Sequence, residues 1–197
     1  IKARAADKNI RSAQIGVEAL DPKTIKELPA FLGEADVIKS LETLPGVSTV
    51  GEGASGFNVR GGGIDQNLIL QDEALVFNSS HVLGFFSIFN PDVVKNVTLY
   101  KGHIPAQYGG RLSSVLDIKL KDGNFQKTEG SGGIGLISSR LQLETPIVKG
   151  KTSLLLAGRA SYSDWLLKRV RLPDARNSSA FFYDGLGKIT HRFNSNS

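Results

Sequence analysis

The chain has 197 residues, of which 40% are hydrophobic and 22% charged, with a formal net charge of +5. This balance is ordinary for a folded protein and argues against disorder. Cysteine is absent, which excludes disulfides and thiolate metal sites, and the scattered basic residues argue against nucleic-acid binding. No apolar run approaches the roughly 18 residues of a membrane-spanning helix. Because the chain begins at Ile1 and lacks methionine, we expect a processed or truncated product.

The first half of the chain mixes helix and strand signals with frequent turns. Residues 34–44 carry apolar side chains at helical spacing and predict a short amphipathic helix, which Pro45 ends. Asn90 followed by Pro91 has the form of an N-cap with proline at the first helical position, and predicts a second helix through Lys95. Strands are predicted at residues 57–60, 68–70, 97–100 and 111–120.

The second half has a different rhythm, because apolar and polar side chains alternate along segments of about ten residues. Leu141 and Leu143, for example, alternate with Arg140 and Gln142. A lipid-facing barrel with a watery lumen gives this alternation, and so does a soluble antiparallel sheet with one buried face. The two interpretations correspond to a membrane protein and to a soluble binding module.

The lengths of the connections favour the barrel. A short connection at residues 146–150 is followed by a long one at residues 164–179, and short and long loops alternate in outer-membrane barrels. Three or four strands cannot close a barrel, and an open edge is not tolerated in lipid. We therefore expect the native chain to continue well past Ser197.

Five segments, in a fixed order, resemble a known family. They are LPGV at 44–47, FNVRGGGIDQNLILQD at 57–72, FNPD at 89–92, VTLYKG at 97–102 and PAQYGGRLSSV at 105–115. Each is a weak signal alone, but the set resembles the plug domain of TonB-dependent receptors. The similarity is closest to the Bacteroidetes type, in which a carboxypeptidase-like regulatory domain often precedes the plug.

The resemblance implies an α+β plug domain at residues 1–123, followed at residues 124–197 by the first antiparallel strands of a 22-stranded transmembrane β-barrel. It implies a receptor in the cell outer membrane, without enzymatic activity or cofactor, that takes up a scarce nutrient such as an iron chelate, cobalamin, glycan or peptide. The alternative is a non-transporting structural or signalling subunit of an outer-membrane complex.

The implied partners are TonB, the lipid bilayer and, in some receptors of this type, a surface lipoprotein that acts as a lid. Residues 1–10 contain no segment that resembles a TonB box. We therefore expect TonB to bind a segment that is not in this chain.

Arginine suits the task of holding a plug in a polar lumen, because its pairing with carboxylates is bidentate and geometrically specific. The resemblance implies such a latch to the barrel for Arg60 and Arg111. Glu144, on the polar side of its strand, is the expected partner. Arginines that are merely solvated or locally paired are the alternative.

Turn chemistry accounts for the other motif residues. Gly61 and Gly62 permit positive φ after a strand, and a phosphate-binding loop would need a helix directly after them, where a strand is predicted. Asp65 is interpreted as a turn residue rather than a catalytic carboxylate. The remaining members of this plug turn motif are Gln66, Asn67, Tyr108, Gly109 and Gly110.

Residues 78–87 place aromatic side chains beside glycine and small polar residues. Two interpretations are open: a loop that faces substrate through Asn78, His81, Phe85 and Phe86, or core packing against neighbouring strands. The three histidines of the chain lie far apart without metal-ligand spacing, so no metal site is predicted.

Overall fold

A computed structural model describes residues 16–28, 35–49, 56–81, 86–162, 169 and 181–193. Its helices are α1 (Pro22–Glu27) and α2 (Val37–Ser40), and 3₁₀ turns lie at Leu41–Thr43 and Ile64–Gln66. The strands, in chain order, are β1 (Val17–Leu20), β2 (Val47–Thr49), β3 (Phe57–Val59), β4 (Asn67–Gln71), β5 (Ala74–Leu75), β6 (Ser80–His81), β7 (Phe86–Ser87), β8 (Val94–Tyr100), β9 (Ser114–Leu120), β10 (Glu129–Ile134), β11 (Ser138–Val148), β12 (Thr152–Tyr162) and β13 (Phe181–His191).

Two sheets dominate the described residues. The mixed sheet has five strands in the order β1-β8-β9-β4-β5, in which only β4 and β9 run parallel. The meander sheet consists of β10, β11, β12 and β13, each antiparallel to the next. Two small hairpins, β2–β3 and β6–β7, complete the fold. No helix in the described ranges has the length and hydropathy to cross a membrane.

The two sheets share one hydrophobic core. Val97, Leu99, Leu116 and Ile118 line the inner face of the mixed sheet and are fully buried, together with side chains of α1 and α2. Leu155 of β12 is 0% exposed and belongs to the same cluster. Burial of an aliphatic side chain of this size stabilises a fold by roughly 1.5–3 kcal/mol, so Leu155 binds the meander sheet to the mixed sheet.

The first predicted helix is present, but shorter than expected. Asp36 caps α2 by accepting a hydrogen bond from the Lys39 backbone N–H at 3.1 Å, and the following 3₁₀ turn ends before Pro45. Residue 34, where the prediction began, lies outside the described residues.

The second predicted helix, at residues 91–95, is wrong. Asn90 does accept a hydrogen bond from the Asp92 backbone N–H at 2.9 Å, as a cap residue would. The chain then makes only one turn before β8 begins at Val94. Val93 and Val94 are each 1% exposed, so burial of two β-branched side chains and pairing with β9 outweigh the helix start signal.

The predicted turn at residues 146–150 is also shorter than expected. Pro146 lies inside β11, which ends at Val148. The register between β11 and β12 shifts between Pro146 and Val148. Proline has no N–H to donate to a ladder, and an irregularity of this kind is where a strand tolerates it.

Candidate functional site: the polar interface between the two sheets

The meander sheet exposes apolar side chains and buries polar ones. On β11, Leu141 is 68% exposed whereas the adjacent Gln142 is 5% exposed. On β13, Tyr183 is 79% exposed whereas Asp184 is half-buried. A soluble sheet buries its apolar face, so this inversion matches a strand with lipid outside and protein inside. The 11 residues of each of β11, β12 and β13 also suit a tilted strand that crosses a bilayer.

Asp92 joins the two sheets and a helix at one carboxylate. Asp92 is 6% exposed. Nε of Arg140 on β11 lies 2.7 Å from its Oδ2, and Nζ of Lys26 on α1 lies 2.5 Å from its Oδ1. A buried carboxylate is costly to desolvate unless it is paired, and here two cations share it.

Asp184 of β13 forms a second junction. It accepts from Nε of Arg159 at 2.9 Å, and the same guanidinium donates from Nη2 to the Ser87 carbonyl of β7 at 2.7 Å. The other oxygen of Asp184 lies 2.5 Å from Nε2 of His81 on β6. The His81 ring stacks on Phe182, with centroids 4.6 Å apart. The β6–β7 hairpin is therefore held to the meander sheet by hydrogen bonds and aromatic packing.

Lys188 of β13 makes a third junction. Its Nζ lies 2.9 Å from Oδ2 of Asp72 and 3.2 Å from Oδ1 of Asp122, while Lys95 lies 2.6 Å from the other oxygen of Asp122. Burial by itself would raise the pKa of Asp122, but the hydrogen bonds and positive charges of Lys95 and Lys188 outweigh burial and lower that pKa.

Glu144 does contact the mixed-sheet region, but through a different partner from the one expected. Its Oε1 lies 3.6 Å from Nζ of Lys121, just beyond β9, and accepts a hydrogen bond from Gln142. Lys121 follows directly from a strand packed on the meander sheet, whereas Arg60 lies in an exposed turn. A latch through Glu144 stays a prediction.

Arg60 and Arg111 are both exposed, and within the described ranges neither forms an ion pair. Arg60 has a positive φ of 50° and its N–H donates to the Gly46 carbonyl at 2.9 Å. Arg111 borders a cavity of about 260 Å³ that Asp65 and Asn78 also line. A latch from these two arginines to a barrel wall stays a prediction.

The plug turn motif is present as a compact turn. Gly61 has a φ of 81°, and the Gly62 N–H donates to the Val59 carbonyl at 2.9 Å. A Cβ on Gly62 would lie 2.6 Å from Cβ of Ser113, so only glycine fits there. The glycines are followed by a 3₁₀ turn and then by β4 rather than by a helix that would bind phosphate.

Asn67 is the polar centre of this motif. It is 7% exposed, donates to the Phe57 carbonyl at 2.6 Å and accepts from the Ser114 hydroxyl at 2.7 Å. Gln66 donates to Asp65, which is exposed, at 3.0 Å. Asn67 thus ties β3, β4 and β9 together, as expected for a structural motif.

The second part of the motif lies beyond β8. The rings of Tyr108 and Tyr100 have centroids 5.6 Å apart, and the Tyr108 N–H donates to the Pro105 carbonyl at 2.9 Å. Gly109 and Gly110 are exposed, and Gly110 has a φ of 83°. The aromatic ring anchors this turn on the mixed sheet.

The structure favours packing for two residues of the predicted substrate-facing loop. Phe86 is 5% exposed and forms a second small core with Ile137 and Phe182, and His81 is held by Asp184 and Phe182. These contacts agree with the core-packing interpretation of His81 and Phe86, and a substrate-facing role for the loop stays a prediction. Asn78 is exposed, and Phe85 lies outside the described residues.

Arg140, Arg159, Lys188 and Asp92 carry most of the interface, and we did not predict any of them as site residues. The available signal was the polar face of the alternating strands, which contains the three cations. A charged side chain on the lumen side of a strand that packs on protein needs a partner there. Among the residues that the structure describes, no three metal-binding side chains lie together.

Comparison with known proteins agrees with this geometry. A family model for the TonB-dependent receptor plug domain matches residues 9–114. The siderophore receptor PirA from Acinetobacter baumannii is 21% identical with a TM-score of 0.58, and the match covers 75% of this chain and 24% of that one. The ferric enterobactin receptor PfeA is 21% identical with a TM-score of 0.59, covering 91% and 31%. The outer membrane transporter YddB from Escherichia coli is 17% identical with a TM-score of 0.57, covering 91% and 31%.

At these identities the solved structures show a shared fold, and this chain spans between 24% and 31% of their length. No curated protein matches it. The plug model covers more than half of the chain, so the chain belongs to the TonB-dependent receptor plug domain family.

Receptors of this family reside in the cell outer membrane, interact with TonB and are not enzymes. The present chain is therefore part of an outer-membrane receptor rather than of an enzyme. The predicted fold class, a plug domain with antiparallel strands after it, is confirmed. The Bacteroidetes type and an upstream regulatory domain stay predictions.

Proposed function

We propose that this chain is the gate and first wall segment of a TonB-dependent transporter for a scarce nutrient: an iron chelate, cobalamin, a glycan or a peptide. Residues 1–123 form the plug, and residues 124–197 form the first strands of the barrel that encloses it. TonB acts through a segment outside this chain, and a surface lipoprotein lid is a further partner. The observation that carries the proposal is the inverted meander sheet, which buries Gln142 and exposes Leu141.

The chemistry of the interface supports a plug that is held firmly and released in part. Asp92 and Asp122 each hold a cation of the meander sheet, and Asp184 of that sheet contacts His81 of β6. Water can replace such partners once the lumen hydrates, because each charged group regains hydration as it loses its partner. Opening a purely apolar interface of the same area would instead expose that area to water, at a cost of roughly 25 cal/mol per Å².

Spin labels test the lipid-facing assignment in the full-length protein. Leu141→Cys and Gln142→Cys, each labelled with a nitroxide in liposomes, form a matched pair of adjacent positions. We expect the label at 141 to be relaxed by oxygen, which partitions into lipid, and the label at 142 to be shielded. Equal accessibility of both positions to a water-soluble nickel chelate would contradict a lipid-facing strand.

A reversible lock tests transport. Asp92→Cys with Arg140→Cys, joined by a bis-methanethiosulfonate reagent through two reducible disulfides, replaces the junction between plug and wall by a covalent bridge, and these 197 residues contain no competing cysteine. Uptake of each of the four nutrient classes is measured in cells with and without TonB. We expect one class to be taken up in a TonB-dependent manner, to be blocked by the bridge and to be restored by reductant. Uptake of none of them would favour the structural or signalling subunit instead.

A further inference from the structure

The lipid-facing side of the meander sheet changes in polarity toward one of its ends. At this end, which we call the turn end, residues 149–151 connect β11 to β12. Leu154 and Ile189 are partners across β12 and β13, and two residues closer to the turn end Thr152 pairs with His191. Residues two apart share one side of a strand and lie roughly 7 Å apart along it. An apolar row is therefore followed by a row that forms hydrogen bonds, in which Oγ1 of Thr152 lies 2.7 Å from Nδ1 of His191.

Two lysines follow these rows, in the turn itself. Lys149 and Lys151 are both exposed, and among the residues that the structure describes neither forms an ion pair. The backbone of the turn is held by hydrogen bonds: the Lys151 N–H donates to the Val148 carbonyl at 3.0 Å, and the Gly150 N–H to the Phe125 carbonyl at 2.8 Å. The turn therefore presents two ammonium groups on a defined backbone.

Other cations near the turn end have partners within the chain. Nζ of Lys127 lies 2.6 Å from Oε1 of Glu129, and the guanidinium carbon of Arg192 lies 3.8 Å from the centroid of the Phe125 ring. Lys149 and Lys151 differ from these two side chains, because their charges remain available to a group outside the chain.

An exposed aromatic side chain marks the same level of the sheet. Phe193 follows β13 and is 86% exposed, and its ring meets the His191 ring edge to face with centroids 4.7 Å apart. Aromatic side chains are enriched where a membrane barrel crosses from hydrocarbon to headgroups. The hydrogen-bonding row therefore lies at the depth of that boundary, and the two lysines lie beyond it.

The order of groups along the turn end matches the order of groups in a phospholipid. Acyl chains are followed by ester carbonyls, which accept hydrogen bonds, and then by an anionic phosphate. Short connections between strands lie on the periplasmic side of outer-membrane barrels, and this connection has three residues. The turn end therefore meets the inner leaflet of the outer membrane.

We propose that the turn end binds an anionic phospholipid of the inner leaflet. Lys149 and Lys151 contact the phosphate of its headgroup, because lysines next to a membrane attract anionic lipids. Thr152 and His191 lie beside the ester groups, and the acyl chains lie along Leu154 and Ile189. The proposal rests on the proposed function, because it requires the meander sheet to be a barrel wall in lipid. Such a contact fixes the depth of the wall in the bilayer while the plug moves.

Fluorescence quenching in liposomes tests this site in the full-length protein. Leu156→Cys, on the lipid-facing side of β12 and outside the proposed site, is labelled with bimane. The liposomes are phosphatidylcholine with a small fraction of lipid brominated on its acyl chains, either phosphatidylglycerol or phosphatidylcholine. We expect brominated phosphatidylglycerol to reach half-maximal quenching at about one third of the content that brominated phosphatidylcholine requires. Equal quenching by the two lipids would overturn the proposal.

Lysine variants locate the preference. Lys149→Gln with Lys151→Gln should abolish the difference between the two brominated lipids, and Lys149→Arg with Lys151→Arg should retain it, because the charges remain. Lys23→Gln is the control, since it removes the charge of an exposed lysine on the plug helix α1. A preference that survives the loss of both turn lysines would place the anionic lipid elsewhere and contradict the proposal.

Failure of this proposal and failure of the proposed function give different results. A label at residue 156 that neither brominated lipid quenches would contradict the barrel wall itself. A label that both lipids quench equally leaves the wall in lipid and removes only the anionic lipid site. If no lipid is preferred and the two glutamine substitutions reduce TonB-dependent uptake, the turn binds a periplasmic protein instead, and the proposal is wrong.

Discussion

Nε of Arg140 lies 2.7 Å from Oδ2 of Asp92, and this contact ties the second strand of the meander sheet to the turn that precedes β8. Lys26 occupies the other oxygen of the same carboxylate. The acid lies in the plug and the arginine in the wall, the reverse of the arrangement that the sequence motif suggested for Arg60.

Removal of Asp92 should cost more than removal of either cation. Asp92→Ala leaves two cations without their shared carboxylate, and we expect a loss of about 3 kcal/mol in the free energy of unfolding. Arg140→Ala leaves Asp92 paired with Lys26 and should cost about 1 kcal/mol. Chemical unfolding of the solubilised full-length protein measures both losses of stability. The double variant, Asp92→Ala with Arg140→Ala, should show a coupling energy of about 1–2 kcal/mol between the two residues. Lys95→Ala, at an exposed pair, serves as control with an expected change below about 0.5 kcal/mol.

Glu73 occupies a position that favours glycine. Its φ is 72°, next to Asp72 at 47°, in the turn between β4 and β5. Glu73→Gly should stabilise the protein by about 1 kcal/mol, since a left-handed conformation costs an L-residue roughly 1–2 kcal/mol and glycine loses some entropy on folding. Glu73→Ala removes the same contact with Lys119 but keeps the strain. An equal effect of the two substitutions in thermal unfolding would rule out backbone strain as the cause.

Gly62 and Gly109 should differ in their response to one added methyl group. A Cβ on Gly62 would lie 2.6 Å from Cβ of Ser113, whereas nothing lies within 4 Å of one on Gly109. Gly62→Ala should therefore destabilise by about 1–3 kcal/mol, as overpacking does, and Gly109→Ala should change stability by less than about 0.5 kcal/mol. The midpoints of denaturant unfolding compare them. Similar midpoints for both variants would show that Ser113 moves aside.

Asp122 makes part of the stability depend on pH. Its folded-state pKa is lowered, so the ionised carboxylate contributes stability above its ordinary pKa, and that contribution is lost as the pH falls through the folded-state value. Asp122→Asn should thus be less stable than the parent at neutral pH and equally stable in strong acid. Urea unfolding at several pH values gives the difference. A difference that persists in acid would assign the effect to lost packing rather than to charge.

The sequence predicted those parts of the fold that depend on local pattern. The alternation after Ser138 correctly separated the exposed from the buried face of β11, β12 and β13, and the end of α2 before Pro45 followed from backbone geometry. Strand β10 was missed because its sequence, EGSGGI, contains three glycines and no alternation; its structure comes from pairing with β11. The helix at residues 91–95 failed because tertiary burial of Val93 and Val94 overrode a local cap.

The contacts of the polar interface were harder to predict from the sequence than the fold. A turn residue such as Gly61 could be assigned, because its positive φ is a local property of the backbone. The ion pairs could not, since Asp92 and Arg140 are 48 positions apart and only the packing of the two sheets brings them together. An alternating strand reveals which side chains face inward, but not which inward-facing side chain each one meets.

The inverted alternation of the meander sheet also bears on how such a chain reaches its destination. Where apolar and polar residues alternate, their hydropathies offset one another, and the mean hydropathy of the whole chain is only −0.10. In β11, for example, Gln142 separates Leu141 from Leu143, so the unpaired segment carries no long apolar run. Pairing of neighbouring strands in register brings Leu154, Leu156 and Ile189 together on one side of the sheet. Affinity for lipid is therefore acquired when the strands pair, and the unfolded chain does not carry it.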